Sequence, residues 1–543
     1  MSNAAAALLL CKHNNLTTLL QHCKSISHFK KLHAIIITFG IPISSQETTF
    51  ISNFLSFAAT FSPNIHYPYT IFLRLQNPSI FNYNTIIRAF SNAQNPNKSI
   101  SIFNDMLRKG LTPDHLTYPF VTKAASRLQE VRLGLSIHGR VMKDGFEADR
   151  FVKNSLIHFA GSFKYVGYAR KVFDEMTNKN LISWNSMLGC YVKCREVVLA
   201  REVFDSMAER NVVSWSSMID GYVKCGEYSE ALDVFGKMKR SGVDANEVTM
   251  VSVLGACAHL GALEQGVKMH SYIVEKKISL TLVLRTSLVD MYAKCGAIKE
   301  ALTVFCEASM KHTDVLIWNA MIGGLATHGL VQESLDLFKE MQNVGIAPDE
   351  ITYLCILSAC AHGGLVNEAW YYFKCLTEIG LNLKTEHYAC MMDALARAGQ
   401  LMEAYTFLTQ MPMEPTPSML GALFNGCINH RNFDLAEVVG KKLVELQPDH
   451  DGRYVGLSNV YAVIKRWDEA RMMRETMEKR GVKKLPGWSL VEIFGSPHRF
   501  IAHDKTHPQY EHINDMLNFV LKEFTDPDFE MSQHDYSFGT VDI

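Results

Sequence analysis

No Cys-x-x-Cys pair occurs anywhere in the 543 residues, although the chain holds 13 cysteines. The usual zinc and dithiol spacings are therefore missing. An odd number of cysteines without a spacing framework points to reduced thiols in an intracellular compartment. Long apolar runs are missing too, and none approaches the roughly 18 residues that a membrane span needs. No sign of charge dominates. With 54 Lys and Arg against 55 Asp and Glu the net charge is −1, which excludes a polyanion binder driven by bulk charge. A nucleic-acid partner would need local basic tracks and specific contacts. Acid is absent from the start of the chain: the first is Glu47, preceded by Lys12, Lys24, Lys30 and Lys31. Acid-poor, Ser-containing and weakly basic is the composition of organelle transit segments, here without their usual arginines. The alternative is a short signal-peptide core at Ala4–Leu10, with no charge ahead of it.

What is present is a repeat. A single core stops growing near ~250–300 residues, so this length implies several domains or an elongated array. The phrase Tyr-Val-Lys-Cys or Tyr-Ala-Lys-Cys returns at 191–194, 222–225 and 292–295. Cutting the chain ahead of each apolar-polar-aromatic run gives units 13–48, 49–79, 80–114, 115–149, 150–180, 181–211, 212–246, 247–281, 282–314, 315–349, 350–384 and 385–416. Cys194, Cys225 and Cys295 then share position 14, and Cys23, Cys257 and Cys360 share position 11. Cysteines that track a repeat are expected to be small buried core residues. Equivalent positions in a stack lie too far apart to share one ion.

Each unit predicts two helices. Ala169/Phe173/Met176, Ala200/Phe204/Met207, Ala231/Phe235/Met238 and Ser334/Phe338/Met341 sit at positions 20, 24 and 27, the i, i+4, i+7 spacing of one apolar helix face. An aromatic stands at position 4 of the first helix, as Tyr83, Trp184, Trp215 and Trp318, and is expected to pack. Pro-Asp pairs at 113–114 and 348–349 punctuate unit ends as turns. In unit 181–211 Arg195 stands where its relatives have Gly, which leaves that inter-helix turn open. One short helix pair cannot bury its own face, but a stack of them makes a continuous core and a concave groove.

The tetratricopeptide pattern W-x2-L-G-x2-Y is not seen. The units "IFNYNTIIRAF…SISIFNDMLRKGLTPD" (80–114) and "VLIWNAMIGGLATHGLVQESLDLFKEMQNVGIAPD" (315–349) instead resemble the pentatricopeptide repeat family. The alternation of 35-residue, longer-type ("ANEVTMVSVLGACAHLGALEQGVKMHSYI", 245–273) and 31–33-residue units is similar to its plant PLS subclass. The resemblance runs from about residue 13 to 525. It implies an all-α fold, a right-handed superhelical solenoid of helix-turn-helix repeats. Residues 1–12 would be a targeting segment and 13–416 the repeat array. Residues 417–484 and 485–524, with "HRFIAHDKTHP" at 498–508, are similar to the E and E+ extensions of editing-type members, and 525–543 would be an acidic disordered tail. His498, His503, Asp504 and His507 match that extension phrase rather than a common metal spacing.

A helical repeat can read one base with two or three side chains. The family's readers are position 5 and the last position. The resemblance carries them to Asn53 with Ser79, Asn84 with Asp114, Asn154 with Asn180, Asn185 with Asn211, Ser216 with Asn246, Thr286 with Asp314, and Asn319 with Asp349. A terminal Asp is acceptor-only and suits the imino N–H of U or G, whereas a terminal Asn offers a donor for C or A. Pro119, Val251 and Leu354 hold position 5 of the longer-type units and are expected to add little readout. The target is then C-U-n-Y-Y-A-n-G-U-n-n. Position 2 is apolar, as Phe50, Phe81, Phe151, Ile182, Val213, Val283 and Leu316. By residue type alone this is ordinary packing, whereas the resemblance implies sandwiching of bases. Lys193, Lys224 and Lys294 at position 13 are candidate phosphate contacts, or a solvated helix end.

Base deamination needs zinc on His and Cys with a catalytic Glu, in an H-x-E…C-x-x-C pattern. Neither element is in this sequence, and the family's DYW domain is not seen before residue 543. The chain is therefore expected to be no enzyme by itself, with no metal or cofactor. The resemblance implies an adaptor for organellar C-to-U editing on single-stranded RNA. Its partners would be a DYW-type deaminase in trans and multiple organellar RNA editing factor proteins, in the mitochondrion or alternatively the chloroplast. An RNA stabilisation, processing or splicing factor is the second reading. A protein-binding scaffold is the third, disfavoured by the ordered chemistry of the reader positions.

Overall fold

The computed structural model describes residues 20–525 apart from 21–22, 24, 39–47, 62–63, 309–312, 485, 494–495 and 503. The targeting segment expected over 1–12 and the tail beyond Thr525 lie outside the described residues. The chain divides into two compact parts, Met1–Ala256 and Cys257–Ile543. In the first, helices Ile26–Thr38, Thr48–Phe61 and His66–Leu73 lead into antiparallel pairs such as Ile80–Asn92 with Asn97–Arg108 and Val212–Cys225 with Tyr228–Arg240. In the second the pairs run from Leu282–Lys294 with Ile298–Cys306 to Asp451–Val463 with Trp467–Lys479. The protein is an all-α array of helix-turn-helix repeats. Among the described residues the only strands are Trp488–Ile493 and Ser496–Ile501, an antiparallel hairpin ahead of the helix Tyr510–Thr525. No helix among the described residues is long and apolar enough to cross a membrane.

The core follows the repeat frame. Positions 7, 8 and 11 of the first helix are buried in each repeat from 80 onwards, from Ile86, Ile87 and Phe90 to Leu457, Ser458 and Tyr461. That spacing is one face of an α-helix. Position 20 holds a small residue because the second helix lies close there both to its own partner, where the Ser99 and Ser334 hydroxyls donate to the Ile87 and Ile322 carbonyls at 3.0 and 3.2 Å, and to the first helix of the next repeat. At Gly134 and Gly266 even a Cβ would come within 2.0 Å of Phe159 and 2.2 Å of Met291. Neighbouring repeats interlock through the Phe at position 24 and the aromatic at position 4 of the next repeat. Phe173/Trp184, Phe204/Trp215 and Phe305/Trp318 meet edge to face at 5.1, 4.9 and 4.9 Å, the arrangement that ring quadrupoles favour.

The turn between paired helices has one solution. From residue 115 onward, position 15 of each repeat is left-handed, whether Gly226 (φ 82°) and Gly296 (φ 83°) or Gln129 (φ 58°) and Lys465 (φ 62°). Arg195 adopts it too, at φ 61°. The N–H of the next residue, Glu196 or Glu227, then bonds the carbonyl of Tyr191 or Tyr222 at 3.0 and 2.9 Å, closing the first helix as a Schellman cap. Arginine holds a glycine conformation there because the stack on both sides dictates the turn.

Two expectations need correction. Cys257 and Cys360 at position 11 are buried, although Cys23 there is only partly so, and the position-14 cysteines Cys194, Cys225 and Cys295 are all only partly covered. Each sits at a helix end with its sulfur 3.9, 3.7 and 3.7 Å from the carbonyl of Gly161, Arg195 and Cys257 in the preceding repeat. The frame of unit 49–79 is also shifted. Its buried residues are Phe54, Leu55 and Ala58, which are positions 7, 8 and 11 only if the unit starts at 48.

Candidate nucleic-acid interface

The last residue of a repeat is the N-cap of the next repeat's first helix, and its side chain makes the cap bond wherever it can accept one, which Lys384 cannot. Ser79, Asn180, Asn211, Asp314 and Asp349 are N-caps whose side chains accept from first-turn N–H groups. Asp114 accepts from the N–H of Leu116 and Thr117 at 3.0 and 2.9 Å, and Asn246 from that of Thr249 at 3.0 Å. Capping decides what faces away from the helix. In the Asn and Asp caps the helix donors claim Oδ1. An Asn is then left with its amide nitrogen, a donor, and an Asp with Oδ2, an acceptor that takes none of these bonds. Burial alone would raise the Asp114 and Asp349 carboxyls. The hydrogen bonds from Thr117 and Asn84, and from Thr352 and Asn319, outweigh it and hold both below the usual carboxylate range.

Position 5 meets that cap in three repeats. Asn84 Nδ2 donates to Asp114 Oδ1 at 2.9 Å, and Asn319 Nδ2 to Asp349 Oδ1 at 3.0 Å. Asn185 Nδ2 donates to Asn211 Oδ1 at a longer 3.3 Å. The other side of each amide is held by position 3 of the following repeat. Thr117, Thr352 and Ser214 donate to the Oδ1 of Asn84, Asn319 and Asn185 at 2.7, 2.6 and 2.7 Å. Ser216 bonds the Thr249 hydroxyl at 2.6 Å, and Thr249 donates to Asn246 Oδ1 at 2.9 Å. Nothing in the sequence pattern pointed to these position-3 hydroxyls, although Thr117, Thr249 and Thr352 recur one repeat-frame apart from a polar position 5.

Other pairs are not joined. Asn154 is buried with Oδ1 unpartnered, and the Ser183 hydroxyl bonds Asn180 Oδ1 at 2.9 Å. The Thr286 hydroxyl donates to the Leu282 carbonyl at 2.9 Å. Asp314 caps Leu316 and Ile317 at 3.1 and 3.4 Å, and Ile317 has no hydroxyl to bridge them. Asn53 is exposed. The frame shift puts Ser52 in its place, where it accepts from Asn82 Nδ2 at 3.2 Å while Ser79 bonds Asn82 Oδ1 at 2.7 Å.

The packing expectation for position 2 fails. Phe81, Phe151, Ile182, Val213, Val283 and Leu316 are 49–57% exposed, because at 3.6 residues per turn position 2 stands nearly opposite the face made by positions 7, 8 and 11. Leu116, Val248 and Ile351 of the longer-type repeats are exposed in the same way. The side chain of Phe50 lies outside the described residues. The lysines at position 13 have partners of their own. Lys224 and Lys294 pair with Asp220 and Asp290 at 2.6 and 2.9 Å within their helices, and Lys193 Nζ lies 3.0 Å from His158 Nε2. In the C-terminal hairpin region the His507 ring lies tilted against Phe500 and edge-on to His498 at 5.0 and 5.7 Å, while the Asp504 carboxylate accepts from Thr506. His503 lies outside the described residues.

Helix pairs that repeat about every 35 residues, with capped and ordered polar pairs between them, define a helical-repeat protein. The chain belongs to the pentatricopeptide repeat family. The PPR repeat family matches residues 78–125, 210–259 and 313–362, the PPR repeat 182–212 and 283–311, and a pentatricopeptide repeat-containing protein family 350–425. The E motif matches 430–492, which takes in the helix Phe433–Leu446, the last helix pair and most of the first hairpin strand. Among relatives, the chain is 61% identical over 493 residues to pentatricopeptide repeat-containing protein At5g08305 of Arabidopsis thaliana, covering 90% of this chain and 92% of that one. It is 34% identical to At2g22410, mitochondrial (93% and 89% covered), and 37% identical to At2g42920, chloroplastic (92% and 89% covered), both of Arabidopsis thaliana. The pentatricopeptide repeat protein PPR10 of maize, solved with an 18-nt psaJ RNA element, shares the fold. Its TM-score is 0.54 at 19% identity, covering 87% of this chain and 74% of that one.

Proposed function

We propose that the chain is a sequence-specific single-stranded RNA-binding protein of an organelle, acting as the adaptor for C-to-U editing of one transcript. The observation that carries the RNA reading is the recurring capped pair at position 5 and the repeat end. It turns an outward donor or acceptor toward solvent beside an exposed apolar side chain at position 2. Bases stack on such side chains without preference, and the donor or acceptor then selects among them. PPR10, which shares the fold, is described with a bound RNA element, and this agrees. The readers are Asn84/Asp114, Asn154/Asn180, Asn185/Asn211, Ser216/Asn246, Thr286/Asp314 and Asn319/Asp349. Because Ser52 replaces Asn53 beside Ser79, the first nucleotide is left open and the target becomes n-U-n-Y-Y-A-n-G-U-n-n.

The E motif over 430–492 supports the editing role. In that role a DYW-type deaminase acts in trans, with multiple organellar RNA editing factor proteins as further partners. Relatives described as mitochondrial and chloroplastic support an organelle, and the acid-poor start favours the mitochondrion. The test is to sequence organelle cDNA from a plant lacking the protein. One unedited C a few nucleotides 3′ of a match to the target supports the proposal. Full editing everywhere, with one transcript mis-spliced or depleted, replaces it with the processing role.

A further inference from the structure

The longer-type repeats 115–149, 247–281 and 350–384 have no base-bonding side chain at position 5. Yet each has a buried threonine at position 3, Thr117, Thr249 and Thr352, bonded to position 5 of the repeat before it. The geometry points to a three-residue reading site. The position-3 hydroxyl of the following repeat is a positioning residue that fixes the orientation of the position-5 side chain before RNA arrives. This rests on the reading of position 5 and the repeat end as base readers, and it gives the longer-type repeats a part in selectivity.

Asn319 shows why the hydroxyl matters. A primary amide can turn over and exchange its oxygen and nitrogen. Here Nδ2 donates to Asp349 Oδ1 at 3.0 Å and Oδ1 accepts from Thr352 at 2.6 Å. The Thr352 oxygen itself accepts the Asp349 N–H at 3.0 Å and lies 3.0 Å from Asp349 Oδ1, and its single proton goes to the closer acceptor, Asn319 Oδ1. A carboxylate tolerates only the nitrogen, and the hydroxyl proton wants only the oxygen, so one orientation survives. The second N–H of Asn319 is left for the ligand beside the free Asp349 Oδ2. A donor beside an acceptor complements the carbonyl and imino N–H of U, whereas C turns its ring nitrogen into an acceptor against the carboxylate. Without the hydroxyl, the Asn319 oxygen is buried and unpaired and the donor is no longer held. The chain contains that case: Asn154, whose Oδ1 has no partner while the Ser183 hydroxyl bonds Asn180 alone.

A purely structural role is the competing account, since Thr352 also completes the cap of its own helix. That account predicts a general loss of stability or affinity with base preference unchanged. The experiment measures binding of the full chain to the 11-nt target with U, C, A or G at nucleotide 9, for wild type, Thr352→Val and Thr352→Ser, with thermal unfolding alongside. Wild type should prefer U over C by about tenfold, the worth of roughly one well-placed hydrogen bond. Thr352→Val should shrink that ratio to about threefold or less, Thr352→Ser should restore it, and selectivity at nucleotide 2, opposite Asn84, should not move. If the wild type does not distinguish bases at nucleotide 9, the base-reading of Asn319 fails first, and this proposal with it. If the wild type discriminates and Thr352→Val keeps the full ratio, the proposal is overturned. Thr117→Val at nucleotide 2 repeats the comparison should Thr352→Val not fold. Unfolding of both variants assigns the hydroxyls to capping alone and also overturns it.

Discussion

Asp349→Asn changes one atom in function while leaving the fold alone. Asn caps a helix as well as Asp does, and the bonds from the Thr352 N–H and from Asn319 both fall on Oδ1, which the variant keeps. Folding stability should therefore move by no more than about 0.5 kcal/mol. What changes is Oδ2, an outward acceptor that becomes an outward N–H₂. Opposite U, an imino N–H then faces another donor. Losing a hydrogen bond to a charged acceptor costs about 1.5–3 kcal/mol, roughly 10- to 150-fold in affinity. Opposite C, the ring nitrogen gains a donor, worth about 1 kcal/mol or about fivefold. The U:C preference at nucleotide 9 should invert. Removing a negative charge also strengthens phosphate binding uniformly and makes absolute affinities salt-dependent. The ratio at fixed ionic strength, measured by fluorescence anisotropy, is therefore the quantity to follow. A variant that binds RNA with the wild-type U:C ratio would refute the capping argument, because capping is what turns Oδ2 outward.

Arg195→Gly should stabilise the protein by about 0.5–1 kcal/mol, since arginine pays for a left-handed backbone that glycine adopts freely; a lower midpoint in chemical unfolding would show that the side chain contributes contacts that outweigh the strain. Phe151→Ala should leave thermal unfolding nearly unchanged, because the ring is exposed, yet weaken binding of every RNA alike by about 1–3 kcal/mol through lost stacking. A core-sized loss of stability would return position 2 to a packing role. The Asp114 and Asp349 carboxyls have folded pKa values below the ordinary one. Their contribution to stability is thus present above about pH 4 and lost as pH falls through the depressed values. Selectivity for U should be flat from about pH 5 to 8, and a titration of the U:C ratio inside that window would contradict the assignment.

Much of this was legible in the linear chain because helix formation and face burial are local. The apolar steps at positions 20, 24 and 27 and the aromatic at position 4 follow from 3.6 residues per turn, and they led to helix pairs with one buried face before any contact was known. The family resemblance rests on the same period. One local inference failed for a local reason. In the run ISNFL the apolar-polar pattern fits two frames one residue apart, and only the burial of Phe54, Leu55 and Ala58 chose the one that exchanges Asn53 for Ser52.

What could not be seen in the chain depends on how one repeat lies against the next. Position 5 finds its partners 26–33 residues away, at Asp114 and Thr117 or Asn211 and Ser214, and whether they touch is set by the stacking of helices rather than by spacing. Exposure of position 2, the Asp partners of Lys224 and Lys294, and the left-handed turn at Arg195 are settled the same way. Local periodicity states which face of each helix is apolar. Only the packed neighbour determines which polar group on the opposite face is already bonded, which is left free, and in which direction it points.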